Sequence, residues 1–363
     1  MSERNEYGTW GLVSLIITLI ITKVLISSPS FYAKQSASAG WLEVMISGIF
    51  EIFMLFLVLR LVLNFEKMDL VDIAECAFGR IGKIIVGVLS VAAVVISASA
   101  VFRCFCELIR NTVIRGISYD DVSFFILAAS LAGAYLGVRK QVNLSGLILP
   151  ILLVAVAIIL LINVPRYSIT NILPISGVGV RGIIKNALLK NASFYEIGII
   201  LFFLPYLKDK TSVKKTSFTA LSVSVILSSI IALQYQLAVP YEAAGSFSLP
   251  LYQMTRMIKA GTFFQRIEPL NIFIWSGAMY LYVGIGIRMS AHIYKKTFSI
   301  SETRPMVFVF ALLITLLALI PGSETNVERI YDFILTYGYV AYPLLPLLIL
   351  ISASMIYTRK KEV

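Results

Sequence analysis

Lys23, Glu51, Arg103, Glu107 and Glu196 all stand within long apolar stretches of a 363-residue chain. An ionisable side chain at membrane depth is costly, and it marks either a functional site or a partner that neutralises it. Lys23 falls midway along the first stretch and Glu51 midway along the second. Consecutive spans run antiparallel, so the two side chains share a depth and predict a Lys23–Glu51 ion pair, because each charge alone would be uncompensated. Such a pair is either a structural tie or a protonation switch in which Glu51 titrates. Arg103 and Glu107 have i, i+4 spacing in the outer half of the third stretch, which places them on one helical face. They read as a structural salt bridge or as part of a polar path from outside. Tyr280 and Tyr282, midway along the eighth stretch, offer rings for packing and hydroxyls for a solute. Arg288, nearer the inner end, is predicted to snorkel to the surface.

Two stretches are interrupted by polar residues. The first runs apolar to Ile21, meets Thr22 and Lys23, and resumes at Val24. The sixth reaches Asn191, Ala192, Ser193, Phe194, Tyr195 and Glu196 before its apolar half GIILFFLP. Interrupted segments at corresponding positions of two halves point to a solute site built from unwound backbone and half-helix ends. The plainer reading has Lys23 snorkelling and Ser193–Phe194 capping a helix. The candidate ligand-binding set is Thr22, Lys23, Val24, Ser193, Phe194, Tyr195, Glu196 and Tyr282, with Glu51, Arg103 and Glu107 as a polar network.

These residues must be positioned by membrane helices. The chain is 58% hydrophobic and 14% charged, against about 25% charged in soluble domains. Residues 141–165 contain no ionisable group at all, and about 20 apolar residues suffice to cross a bilayer. The predicted class is an all-α polytopic membrane protein of about ten spans, near 10–33, 41–63, 82–112, 122–138, 142–164, 183–206, 217–239, 267–294, 305–321 and 333–357. They form a single transmembrane domain of two five-helix repeats, about 10–164 and 183–357, with helices 1 and 6 discontinuous. The first stretch lacks a basic leader and a small-residue cleavage site, and reads as a retained span.

Placing both termini in the cytoplasm gathers Arg60, Arg80, Arg139, Lys140, Lys214, Lys215, Lys295 and Lys296 on that side, as basic loop residues prefer. The net charge of +11 then reflects topology, and no nucleic-acid partner is expected. Residues 178–189 carry Arg181 and Lys185 at helical spacing and predict an amphipathic outer helix. Residues 247–259 predict a second, with Pro250 in its first turn. Cys76, Cys104 and Cys106 make no disulfide framework, and the single His292 makes a metal site unexpected. No nucleotide loop or catalytic triad pattern appears, so neither an enzyme nor a cofactor is expected.

Several local patterns, taken in order, carry a resemblance. They are ITKVLISSP ending at Pro29, Trp41 opening the second span, RCFCE with Arg103 and Glu107, and NILPISGVG with Pro174, Gly177 and Gly179. FFLP ending at Pro205, FSLPLYQMTRMI, FFQRIEPL with Arg266 and Glu268, and Trp275 follow. The chain resembles the spore germination permease family, the B subunits of bacterial spore germinant receptors, within the amino acid–polyamine–organocation superfamily. The resemblance implies a leucine-transporter-like five-plus-five inverted repeat in the bacterial cell membrane, here the spore inner membrane. It implies binding of a small nutrient such as an amino acid or sugar, and work beside a larger A subunit and a C-subunit lipoprotein. Lys23 departs from the small residue usual at its position in the family, so the nutrient is not carried over. A proton-coupled amino-acid transporter of the same fold is the alternative, and a pore is a third reading that no ring of repeated acidic residues supports.

Overall fold

The computed structural model describes residues 8–26, 28–65, 67–112, 117–207, 209–247, 249–256 and 268–361. Helices account for nearly all of them, and no strand occurs among the described residues. The first span comprises α1 (Thr9–Ile26) and α2 (Ser28–Ser36). Then come α3 (Gly40–Val62), α4 (Leu70–Thr112), α5 (Tyr119–Leu136) and α6 (Val138–Ile162). The sixth span is α7 (Val180–Leu189), a non-helical link, a 3-10 turn at Tyr195–Ile199 and α8 (Ile200–Phe203). Next are α9 (Lys210–Ala238) and the outer pieces α10 (Tyr241–Ala244) and α11 (Pro250–Arg256). The chain closes with α12 (Glu268–Phe298), α13 (Arg304–Leu319), α14 (Glu324–Tyr337) and α15 (Leu344–Lys361).

Seven described segments are long and apolar enough to cross a bilayer, and the shorter apolar pieces Tyr195–Tyr206 and Arg304–Leu319 add to them. Outward-facing Phe53, Leu147, Val154, Leu161 and Leu312 are exposed, as a helix bundle solvated by lipid requires. By contrast α1 is buried along its length from Leu12 to Ile26, packed among α6, α9 and α12. A helix apolar on every face belongs inside a bundle, and this one forms its axis. Around it, α4 packs on α12, α13, α14 and α15, and α3 packs on α7, α9 and α15.

Three boundaries differ from the sequence reading. Thr22 and Lys23 lie within α1, which is helical to Ile26; α2 begins at Ser28, and residue 27 lies outside the described residues. Side chains of other helices reach the last carbonyls of α1. The Trp275 indole donates to the Thr22 carbonyl at 3.4 Å, and the Tyr331 hydroxyl donates to the Lys23 carbonyl at 2.8 Å. The third span begins earlier, since α4 includes an inner segment joined at Gly79. Gly79 has φ 69 and ψ −162, a conformation open essentially to glycine alone. The tenth span is two helices, α14 and α15, separated around Gly338 to Pro343. The outer helix expected over 247–259 is α11, and 257–267, with Arg266, lie outside the described residues.

Candidate functional site

The sixth span breaks because its link is held by side chains and by neighbouring spans rather than by its own helical ladder. The Ala192 amide donates to the Leu335 carbonyl at 2.6 Å, near the end of α14. The Ser193 amide donates to Asn191 Oδ1 at 3.1 Å, and Ser47 of α3 donates to the Asn191 carbonyl at 3.0 Å. Unwound backbone survives at membrane depth only where protein satisfies it in this way. Asn191 in turn donates to Glu43 Oε1 at 2.9 Å, whose second oxygen accepts from Ser36 at 2.6 Å. The Tyr32 and Ser193 hydroxyls meet at 2.8 Å, so α2 and the link are stitched together.

Immediately beyond this link, Glu196 enters the 3-10 turn and meets Lys23. Lys23 Nζ lies 2.5 Å from Glu196 Oε2, with the lysine side chain wholly buried. The ammonium also sits 3.8 Å from the centroid of the Tyr195 ring, whose face attracts a cation. The Tyr282 hydroxyl donates to Glu196 Oε1 at 3.0 Å, so both carboxylate oxygens are engaged. Ser97 of α4 joins Tyr282 at 2.9 Å and also bonds the Tyr195 hydroxyl. The expected Lys23–Glu51 pair does not form. Glu196 is the partner instead, because the turn that carries it packs on α1, whereas α3 packs on α7, α9 and α15. Glu51 is 6% exposed, lies within electrostatic reach of Lys23, and makes no hydrogen bond or ion pair among the described residues.

A cavity of about 240 Å³ borders this cluster. Tyr195, Glu196, Tyr282 and Ser97 supply its polar floor, and its walls are apolar side chains such as Leu19, Phe202 and Ile285. Exposed Leu89, Ile96, Phe333 and Tyr337 form its rim between α4 and α14. A separate pocket of about 60 Å³ is lined by Ser30, Lys34, Cys104, Glu107, Glu328 and Asp332.

Three of the eight candidate ligand residues therefore meet at the cavity: Tyr195, Glu196 and Tyr282. Lys23 is behind them, bonded to Glu196. Ser193 belongs to the polar layer on the outer side, Thr22 bonds back to the Thr18 carbonyl at 2.6 Å, and Val24 and Phe194 are core packing. Arg103 and Glu107 pair at 2.7 Å at the outer end of α4, with Arg110 on the other Glu107 oxygen. Arg103 also stacks on Tyr119 and donates to the Ala318 carbonyl, so this network is a separate tie. Arg288 does not reach the surface entirely, since two of its guanidinium nitrogens are buried. The sequence reading missed Ser97, Tyr331 and Glu43, and named Trp275 only within the resemblance. Glu43 alone carried a signal, as an acidic residue at the start of an apolar span.

A sixth span broken before Glu196, with that carboxylate on Lys23 of the buried first span, fits the class of five-plus-five inverted-repeat transporter folds. Two solved structures share this fold. A Na+-coupled sialic acid symporter, in a substrate-bound outward-open state, aligns with a TM-score of 0.68 at 11% identity, covering 97% of this chain and 89% of that one. Mhp1, a nucleobase-cation-symport-1 family transporter in a closed conformation with bromovinylhydantoin bound, aligns with a TM-score of 0.68 at 11% identity, covering 97% and 91%.

A sequence model of the spore germination protein (spore permease) family matches residues 9–327, and the chain belongs to that family. It is similar to spore germination protein A2 of Bacillus subtilis (strain 168), 22% identical over 98% of each chain. It is also similar to spore germination protein YndE of the same strain, 21% identical over 97% of this chain and 98% of that one.

Proposed function

We propose that this protein is the membrane subunit of a spore germinant receptor that binds a small nutrient, such as an amino acid or sugar, and triggers germination. The observation that carries the reading is the Lys23–Glu196 pair at the break of the sixth span, with Glu196 on the floor of a cavity of about 240 Å³ and Lys23 behind it. That volume suits a small solute, and a carboxylate with hydroxyls beside it can take an ammonium or a hydroxyl group. Membership of the spore germination family supports the biological setting. In this reading the chain lies in the spore inner membrane with both termini cytoplasmic. A larger A subunit and a C-subunit lipoprotein read its state.

A ligand changes that state only through different affinities for two conformations. Lys23→Ala and Glu196→Ala are expected to shift the nutrient concentration that half-activates germination in spores that still accumulate the protein. Unchanged dose responses in both variants would remove the proposed site. A proton-coupled amino-acid transporter is the second reading, and unpaired Glu51 favours it.

A further inference from the structure

Among the described residues, the centre of the bundle holds one cation, Lys23, and two carboxylates, Glu196 and Glu51. Lys23 Nζ is 2.5 Å from Glu196 and within electrostatic reach of Glu51. Glu196 is satisfied at both oxygens, by Lys23 and by the Tyr282 hydroxyl. Glu51 has no such partner: its Oε1 is buried and unbonded, and the buried Tyr342 hydroxyl near it is unbonded as well. Among the described residues, Lys23 from α1 and Tyr342 from the α14–α15 link are the charged and titratable groups facing Glu51. At this depth α9 presents Val225 against Gly48 of α3. Its charges at Lys210, Lys214 and Lys215 belong to the opposite end of that helix. The charges of α7, Arg181 and Lys185, lie on its exposed side.

An ionised carboxylate buried without a cation or hydrogen-bond donors is far more costly than a neutral carboxyl. One ammonium neutralises one carboxylate, so the second must hold a proton. We propose that Glu51 is a protonated reserve partner for Lys23, and that Lys23 exchanges Glu196 for Glu51 whenever Glu196 is taken by another cation. The exchange is balanced. An incoming ammonium pairs with Glu196, Lys23 pairs with Glu51, and the Glu51 carboxyl releases its proton to water, so one positive charge enters and one leaves. The reserve role rests on the Lys23–Glu196 contact and on the buried, unbonded Glu51 within reach of it, whereas its use by a solute ammonium rests on the proposed nutrient site.

Infrared spectroscopy of the purified protein at neutral pH tests this without any ligand, so failure of the nutrient reading and failure of this one remain distinguishable. The wild-type-minus-Glu51→Gln difference spectrum, in which the buried Glu43 carboxyl cancels, is expected to show the carbonyl stretch of a protonated carboxyl. That stretch is also lost in Glu196→Gln, because Lys23 then ionises Glu51. In Lys23→Met it grows, because both carboxyls are then protonated. Circular dichroism confirms that each variant is folded, and the opposite signs of the last two variants separate partner exchange from general loosening. A difference spectrum without that band overturns the proton at Glu51. A band lost in Glu51→Gln but kept in Glu196→Gln, or unchanged in Lys23→Met, overturns the exchange.

Discussion

Lys23 is buried completely, and its cost is offset by the 2.5 Å contact with Glu196 and the Tyr195 ring. Removing one member of a buried pair strands the other, at about 3–5 kcal/mol, whereas replacing both by neutral groups of similar volume is far milder. Lys23→Ala is therefore expected to lower the unfolding free energy in detergent by that order, while Lys23→Met/Glu196→Gln recovers most of the loss. Thermal or denaturant unfolding of the three proteins checks it, and additive losses in the double variant would count against a direct pair. At this scale the sequence revealed the ionisable groups, because Lys23, Glu51 and Glu196 interrupt apolar runs. It did not reveal which carboxylate Lys23 chooses. Depth follows from position along a span, but the face a helix turns to its neighbours follows from packing between segments 173 residues apart. Ser97 and Tyr331 stayed hidden for another reason: a hydroxyl or a ring in a membrane helix looks the same whether it packs or caps a broken span.

Broken elements were legible where polar residues cluster, as at Asn191–Glu196, and were misplaced where other helices supply the caps. Gly338 and Pro343 did signal the break in the tenth span, but the apolar residues around them concealed it. That break matters, because α14 supplies both the Tyr331 cap and the outer ion pairs to α2. Lys34 lies 3.8 Å from Glu328 and 3.6 Å from Asp332, with side chains 36–40% exposed. Pairs this exposed are worth about 0–1 kcal/mol, which makes them suited to a contact that opens readily. Cys104 lies in the pocket beside this contact and is 6% exposed. Lys34→Ala is expected to raise the rate at which a polar thiol reagent modifies Cys104, several-fold if about 1 kcal/mol is lost. Mass spectrometry separates Cys104 from exposed Cys76, and an unchanged rate would show that α2 and α14 are not held by these ions.

Across the whole molecule, packing differs between the two ends of the bundle. Toward one end stands the pocket of about 60 Å³ between α2, α4 and α14. Toward the other the sixth span continues as Ile197, Ile200, Leu201 and Phe203, each 2% exposed or less. At the inner ends of α4 and α12, Lys296 is 2.5 Å from both Asp69 and Asp72. Burial holds the Asp69 carboxyl above the usual carboxylate range, against the pull of Lys296. A transporter must open an inner route in every cycle, whereas a receptor needs only two states that a ligand favours unequally. The dense apolar inner half of the sixth span and the light ionic contact outside favour a protein that admits solute from one side and reports it. A nutrient at a hundred times its dissociation constant adds about 2.7 kcal/mol to apparent stability. The expectation is therefore a saturable rise in melting temperature with one or more members of an amino-acid and sugar panel, together with slower Cys104 modification, but no counterflow of that compound in proteoliposomes. Counterflow at the concentration that stabilises the protein would instead mean that the inner route opens, and the chain would then be a carrier whose cycle includes Lys23.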